Sequence, residues 1–308
     1  MDVHGLLRKL RIERGFSQKK LSDKITTRET FVKYENGKTN IPFFVLKEVL
    51  DRMNLTLDEF IFYLDQDTVR GKNRDLKKII KRIREGKSNF LYTLQTLREK
   101  AKETNDIVDI RNYLIARTVN WYPLEASQRK LNKSDREYLS ELKEYLEVID
   151  EWGRFEMTTF STLLFVFETN YIKSRLTNIE RKIEKNKDFE IFHSILIGLY
   201  NNAFLLMLER KEIVLARKYL KKIANVQHKL LFLGDTEVYF NFYMLLLEHL
   251  TEESGRAKEL SQYFTGLKKI RSFNLYTRFK NDLRKFEILY GTVPLVFKEE
   301  RQEIRNDL

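Results

Sequence analysis

The chain has 308 residues, 33% charged and 42% hydrophobic, with 57 Lys and Arg against 45 Asp and Glu and a formal charge of +12. Its length and apolar content exclude a disordered tail and predict one large helical unit or two domains of unequal size, and its charge favours a polyanionic partner. With no cysteine, disulfides, thiolate nucleophiles and Cys-ligated metal centres are excluded, and a reducing, cytoplasmic setting is expected.

His4, His193, His228 and His249 fall in four different local contexts, so no metal site and no cofactor is expected. The opening segment MDVHGLLRKLRIERG is interrupted by charges every few positions, unlike a secretion signal. The most apolar stretches, 160–167 and 243–247, fall far short of the roughly 20 residues that cross a bilayer, and no membrane partner is expected. Eleven glycines and three prolines leave few enforced helix stops, and apolar residues recur at three-to-four spacing, as at Leu139, Leu142, Tyr145, Leu146 and Ile149. The expected fold class is all-α.

A first basic helix is predicted over 6–14, with Leu6, Leu7 and Leu10 on its apolar side and Gly15 ending it. Ser17 is placed to cap a second helix carrying Leu21 and Ile25, although Lys20 departs from the capping-box pattern. Thr27 is placed to cap a third helix that runs to about Asn36, where Asn36-Gly37 marks a turn. Its inward residues come from Phe31, Val32 and Tyr34, leaving Arg28, Glu29, Thr30 and Lys33 outward. Two short helices joined by a tight turn form a helix-turn-helix, which places side chains in a major groove roughly 12 Å wide. Arg28 suits guanine edges and Glu29 suits cytosine, whereas Gln18, Lys33 and Lys38 suit phosphates, and Ser17, Thr27 and Thr30 share the same surface. The first 46 residues carry ten Lys or Arg against five Asp or Glu. An apolar series of Phe44, Leu46, Val49, Leu50, Leu55, Leu57, Phe60 and Ile61 closes a five-helix module.

From Arg70 to Lys87 nine basic residues face two acidic ones, yet Leu76, Ile79, Ile80 and Ile83 keep helical spacing, which predicts an amphipathic basic helix. The expected organisation is 1–65 for the helix-turn-helix, 66–73 as a linker and 74–308 as a second domain. Beyond the linker, apolar blocks at 107–114, 134–149, 155–167, 172–184, 189–208, 213–223, 239–250 and 257–270 predict antiparallel helix pairs stacked as a solenoid. Ala216 followed by Tyr219 fits the second helix of a tetratricopeptide hairpin, and Ala257 with Leu260 and Phe264 repeats it weakly after 41 residues.

The segments Phe16-Ser17-Gln18-Lys19-Lys20-Leu21-Ser22, Lys33-Tyr34-Glu35-Asn36-Gly37 and Asn54-Leu55-Thr56-Leu57-Asp58-Glu59-Phe60 resemble the phage-repressor-like helix-turn-helix of the Rgg/MutR regulators. Leu142, Leu146, Phe160 and Trp152-Gly153-Arg154-Phe155-Glu156 are similar to that family's W-x-x-[YF]-E region. The resemblance implies that Glu35 and Gly37 hold the end of the recognition helix. It also implies a cytoplasmic, homodimeric bacterial transcription regulator active in quorum sensing. Its partners would be double-stranded operator DNA, a short linear peptide pheromone on the concave face of the tetratricopeptide-like domain, and RNA polymerase as a further candidate.

Side-chain amides can hold the N–H and C=O groups of an extended peptide, which makes Asn170, Asn201, Asn202 and Asn241 candidates, with Tyr239, Phe240, Trp121 and Trp152 beside them. Arg117 and Arg154 are candidates for gripping a peptide carboxylate. No glycine-rich phosphate loop, nucleophile elbow or metal-ligand spacing occurs, so no enzymatic activity is expected. The alternative is a helical-repeat protein-interaction scaffold without regulated DNA binding.

Overall fold

The computed structural model describes residues 2–64, 72–86, 89–121, 124, 126–185, 190–227, 234–251 and 256–297. All regular elements among them are helices, in agreement with the all-α expectation. The chain divides into two compact units, Met1–Ala116 and Arg117–Leu308. Of the expected linker, 66–71 lie outside the described residues, and 72–73 open a helix.

The first unit begins with α1 (Val3–Glu13), α2 (Gln18–Ser22), α3 (Arg28–Glu35), α4 (Phe43–Arg52) and α5 (Leu57–Tyr63). Side-chain oxygens cap free N–H groups at the starts of α1, α2, α3 and α5, while α4 starts at Pro42 without one. Ser17 Oγ accepts from Lys20 N at 3.1 Å, and Thr27 Oγ1 accepts from Thr30 N at 3.1 Å. Thr56 and Glu59 form a reciprocal capping box, which holds the Glu59 carboxyl below its ordinary range because it accepts from the Thr56 amide and hydroxyl. Helices α1, α3 and α4 end on left-handed residues, Gly15 (φ +69°), Gly37 (φ +68°) and Asn54 (φ +54°). The next N–H then reaches back five residues, as from Lys38 to the Lys33 carbonyl at 2.9 Å.

These helices enclose a core of Leu6, Leu7, Leu10, Leu21, Phe31, Tyr34, Val49, Leu50, Met53, Leu55, Phe60 and Leu64. Of the expected inward residues of α3, Phe31 and Tyr34 are buried and Val32 is half-buried. Two expected core positions are not: Phe44 is 75% exposed and Ile61 39%. On α4 the inward stripe runs through Val45, Leu46, Val49, Leu50 and Met53, and Phe44 lies one residue off its edge. Arg52 locks α4 to the end of α2, its Nη1 donating to the carbonyls of Lys20, Leu21 and Asp23.

Helix α6 (Lys72–Arg84) buries Leu76 and Ile83 and half-buries Ile79 and Ile80, the four apolar positions expected of the basic segment. Helix α7 (Phe90–Thr104) falls outside the expected blocks; Leu91 and Tyr92 are exposed, so its apolar residues do not form one inward stripe. Helix α8 (Ile107–Thr118) follows, and the division between the two units falls inside it.

The second unit contains α9 (Lys133–Val148), α10 (Arg154–Thr162), α11 (Thr169–Lys185), α12 (Glu190–Glu209), α13 (Ile213–Gln227), α14 (Gly234–Thr251), α15 (Ala257–Lys269) and α16 (Phe273–Tyr290). Helix α12 packs against α10 and α13, and α14 packs against α13, α15 and α16, giving successive helical hairpins. The α12–α13 and α15–α16 turns are alike, each with a left-handed basic residue (Lys211 and Arg271, both φ +58°) followed by an N–H that reaches back five residues. Ala216 and Tyr219 are buried as the hairpin reading expects, but Ala257 is exposed at the start of α15 and is not their packing counterpart. The core is aromatic: Phe242 stacks on Phe279 at 4.2 Å between centroids, and Phe204 meets Tyr243 at 4.8 Å.

Candidate functional site

In the first unit, α3 turns Phe31, Tyr34 and Glu35 inward and leaves Arg28, Glu29 and Lys33 exposed, as expected. Thr30 is half-buried, its hydroxyl paired with Thr27 Oγ1 at 2.8 Å. Glu35 ties three helices together. Its side chain is fully buried and accepts from Arg11 Nε at 2.6 Å, Arg11 Nη2 at 3.0 Å and Gln18 Nε2 at 2.8 Å. The amide of Gln18 is therefore oriented from below by α3.

Gly37, after the helix, meets His4, whose Nδ1 lies 2.7 Å from the Tyr34 carbonyl. Beside α2 and α3 an open concavity of about 380 Å3 is lined by Arg11, Ser17, Gln18, Lys19 and Arg28. Arg11 is neutralised by Glu35, whereas Lys19 and Arg28 have no ion-pair partner among the described residues. Two uncompensated cations, a hydroxyl and an oriented amide make a surface suited to phosphates and base edges. Lys38 lies exposed just past the end of α3.

In the second unit the W-x-x-[YF]-E segment joins two helices. The Trp152 indole N–H donates to the Leu146 carbonyl at 3.0 Å, and Glu156 caps Gly153 N at 2.8 Å while accepting from Tyr145 Oη at 2.6 Å. Burial and this carboxylate push the Tyr145 phenol up to about 12. Arg154, in the middle of the motif, is exposed on the first turn of α10.

Arg117 is engaged within the fold. It donates to the fully buried Asp135 at 3.2 Å and to the Lys130 carbonyl at 3.1 Å, and it lies over the Trp121 ring. Asp135 in turn forms a capping box with Asn132, so this arginine fastens the end of α8 to the start of α9. Trp121 itself is buried.

The amide candidates separate by environment. Asn170 and Asn241 are exposed. Asn202 is exposed but donates to the Ser161 carbonyl at 3.2 Å and hydroxyl at 3.0 Å, bridging α12 to α10. Asn201 shields its amide oxygen from solvent without a hydrogen-bond partner. Tyr239 accepts from Arg278 Nη1 at 2.9 Å and meets the edge of Phe279. Sequence alone carries no signal for Arg278, because its partner lies 39 residues away. Behind α12, Tyr200 donates to Glu180 at 2.8 Å, and Glu180 also pairs with Lys222; burial beside Glu180 pushes the Tyr219 phenol up to about 12.

Among the described residues no group of three His, Asp or Glu side chains is placed to hold a metal ion, and no helix is long and apolar enough to cross a membrane.

A DNA-reading helical module followed by stacked helical hairpins is the architecture of a regulator with an attached sensing domain. Comparison with known families agrees: residues 7–60 match the helix-turn-helix model, and residues 92–281 match the C-terminal domain of the helix-turn-helix-type transcriptional regulator Rgg. The second match spans more than half of the chain, which belongs to the Rgg family of transcriptional regulators. No curated protein sequence matches it.

Among solved structures, a candidate transcriptional regulator from Listeria monocytogenes EGD-e superposes with a TM-score of 0.76 at 17% identity, covering 94% of this chain and 99% of that one. The complex of PrgX with iCF10 gives 0.74 at 14% identity over 99% and 95% of the two chains. The SHP pheromone receptor Rgg2 of Streptococcus dysgalactiae gives 0.70 at 16%, over 92% and 99%. These likenesses establish the shared fold.

Proposed function

We propose that the chain is a sequence-specific DNA-binding transcriptional regulator, acting as a homodimer and controlled by a short linear peptide pheromone bound in its second domain. The observation that carries this reading is the union of an outward-facing α3, with Arg28 and Lys19 uncompensated beside it, and an Rgg C-terminal domain on the same chain. PrgX, in complex with iCF10, and the SHP pheromone receptor Rgg2 share the fold, as does the receptor of a bacterial peptide pheromone/receptor complex.

In this reading residues 1–65 bind DNA, 66–73 link, and 74–308 sense peptide and dimerise. Arg28 and Glu29 read base edges, while Ser17, Gln18, Thr27, Thr30, Lys33 and Lys38 fix the register on the backbone. Asn170, Asn201, Asn202, Tyr239, Asn241 and Arg154 are the peptide contacts, Asn201 and Tyr239 half-buried and the other four exposed. Arg117, already paired with Asp135, is the further candidate for the peptide carboxylate. Peptide changes transcription only by favouring one of two conformational or assembly states, so its affinity for the two must differ.

The test is footprinting of the purified protein across the neighbourhood of its own gene at low salt, with and without synthetic peptides encoded nearby. Protection of a two-fold-related site, altered by one peptide, is expected. No protection with or without peptide overturns the DNA reading.

A further inference from the structure

The positive charge of the chain is concentrated outside the helix-turn-helix. Residues 1–64 carry twelve Lys and Arg against nine Asp and Glu, a net of +3, whereas the nine basic and two acidic residues from Arg70 to Lys87 supply +7 of the total of +12. Phosphate neutralisation provides much of the affinity of a DNA-binding protein, so the module that reads bases is poor in the charge that would hold it on the duplex.

Helix α6 gathers the missing charge on one side. Its apolar stripe is covered by the fold, with Leu76 and Ile83 buried and Ile79 and Ile80 half-buried, while Lys78, Lys81 and Arg82 are exposed. Lys81 reaches Glu85 at 3.8 Å, but Lys78 and Arg82, one turn apart, have no ion-pair partner among the described residues. Arg74, Lys78 and Arg82 follow one another at i, i+4 and i+8, and like charges at that spacing repel and disfavour the helix. Solubility is served by interspersed signs, so a row of one sign calls for an anion to offset the repulsion. A membrane surface does not fit, because the apolar residues that would enter lipid are the ones already covered.

Helix α6 belongs to the same compact unit as the helix-turn-helix. Eight Cα–Cα steps separate Leu64, which follows α5, from Lys72, so the start of α6 lies at most about 29 Å from the module, the rise of about eight base pairs. Such a tether holds a basic face at high effective concentration over neighbouring duplex.

We infer that the Lys78 and Arg82 face of α6 is a second DNA-contacting surface, which binds backbone phosphates next to those covered by the helix-turn-helix and accepts any sequence. The inference rests on the DNA-binding reading above and goes beyond it by adding a clamp outside the base-reading module. The partner is duplex DNA rather than RNA, because the adjoining module reads a major groove that A-form RNA closes to side chains.

The experiment titrates the full-length chain with a fluorescent random-sequence duplex of about 50 bp at salt concentrations from about 50 to 200 mM. The double variant Lys78→Gln with Arg82→Gln is expected to keep the wild-type circular dichroism and melting temperature. It should lower the slope of log K against log salt by about 1.8, and each single variant by about 0.9, with a loss for the double variant of at least about tenfold at the lowest salt. The charge-preserving exchange Lys78→Arg with Arg82→Lys should keep the wild-type slope. A control of equal charge change on the second unit, Lys218→Gln with Lys221→Gln, both exposed on α13, should also leave the slope unchanged.

An unchanged slope for the α6 variants, or an equal fall for the α13 control, overturns the inference while leaving DNA binding by the helix-turn-helix intact. A loss seen on duplex RNA of the same length but not on DNA overturns it in favour of an RNA partner. Failure of the wild-type chain to bind any duplex DNA at low salt overturns the DNA-binding reading itself and the inference with it.

Discussion

Replacing Glu35 with alanine tests how far the helix-turn-helix depends on one buried carboxylate. None of the Glu35 side chain is exposed, and its main partner Arg11 is only 11% exposed. Removing the carboxylate strands the Arg11 guanidinium in a low-dielectric site, a loss of about 3–5 kcal/mol for breaking a buried pair from one side. Gln18 also loses its acceptor, but it is half-buried and turns to water at small cost. Against a typical domain stability of about 5–15 kcal/mol, the first unit becomes marginal.

With a urea slope of about 2 kcal/mol per molar, the transition of the first unit moves down by about 1.5–2.5 M. Far-UV circular dichroism is the appropriate signal, because both tryptophans, Trp121 and Trp152, belong to the second unit. The double variant Arg11→Met with Glu35→Leu removes both charges and should regain most of the stability. It should not regain operator binding, since Gln18 is no longer oriented. A Glu35→Ala transition that overlays the wild type, or a double variant no more stable than the single one, refutes the argument.

Gly37→Val combines a left-handed backbone with a β-carbon 3.4 Å from the His4 ring, so a loss of about 1–2 kcal/mol is expected in thermal melts, against a smaller loss for Gly37→Asn. Arg28→Ala should cost about 1–3 kcal/mol on operator DNA and relax sequence preference, whereas Lys38→Ala should weaken operator and random DNA alike and lower the salt slope by about 1 in binding titrations. Glu287→Ala removes the carboxylate that accepts from Leu295 N at 2.7 Å and Arg284 at 3.2 Å, so the Leu295 amide should lose its hydrogen-exchange protection while the centre of α16 keeps its own. The Tyr219 phenol titrates near 12 when folded and near 10 when unfolded, so its contribution to stability is complete below about pH 10 and lost as pH rises through 12. Tyr219→Phe should flatten that alkaline decline in urea midpoints measured between pH 9 and about 12.

The helix ends are the most legible feature, because caps act over three to five residues. Ser17 and Thr27 accept from the amides their positions imply, and Gly15 and Gly37 sit where a helix must turn left-handed. Periodicity located most of the core, since burial follows the helical repeat. It misplaced Phe44 and Ile61, because an apolar residue beside a stripe looks the same in one dimension as one within it. Helix α16 has its apolar signal in Phe279, Leu283 and Phe286, but Arg278, Lys280, Arg284 and Lys285 dilute it.

By itself, then, the sequence determined an all-helical chain, the helix-turn-helix and its outward residues, and the family resemblance, all of which depend on neighbours a turn or two away. Tertiary structure decided the roles of individual polar side chains. Arg117, a candidate for a peptide carboxylate, is bound to Asp135 eighteen residues away; Gln18 is oriented by Glu35, and Tyr239 by Arg278. A charge or an amide is satisfied by whatever the fold brings within about 3 Å, and linear spacing does not encode that distance.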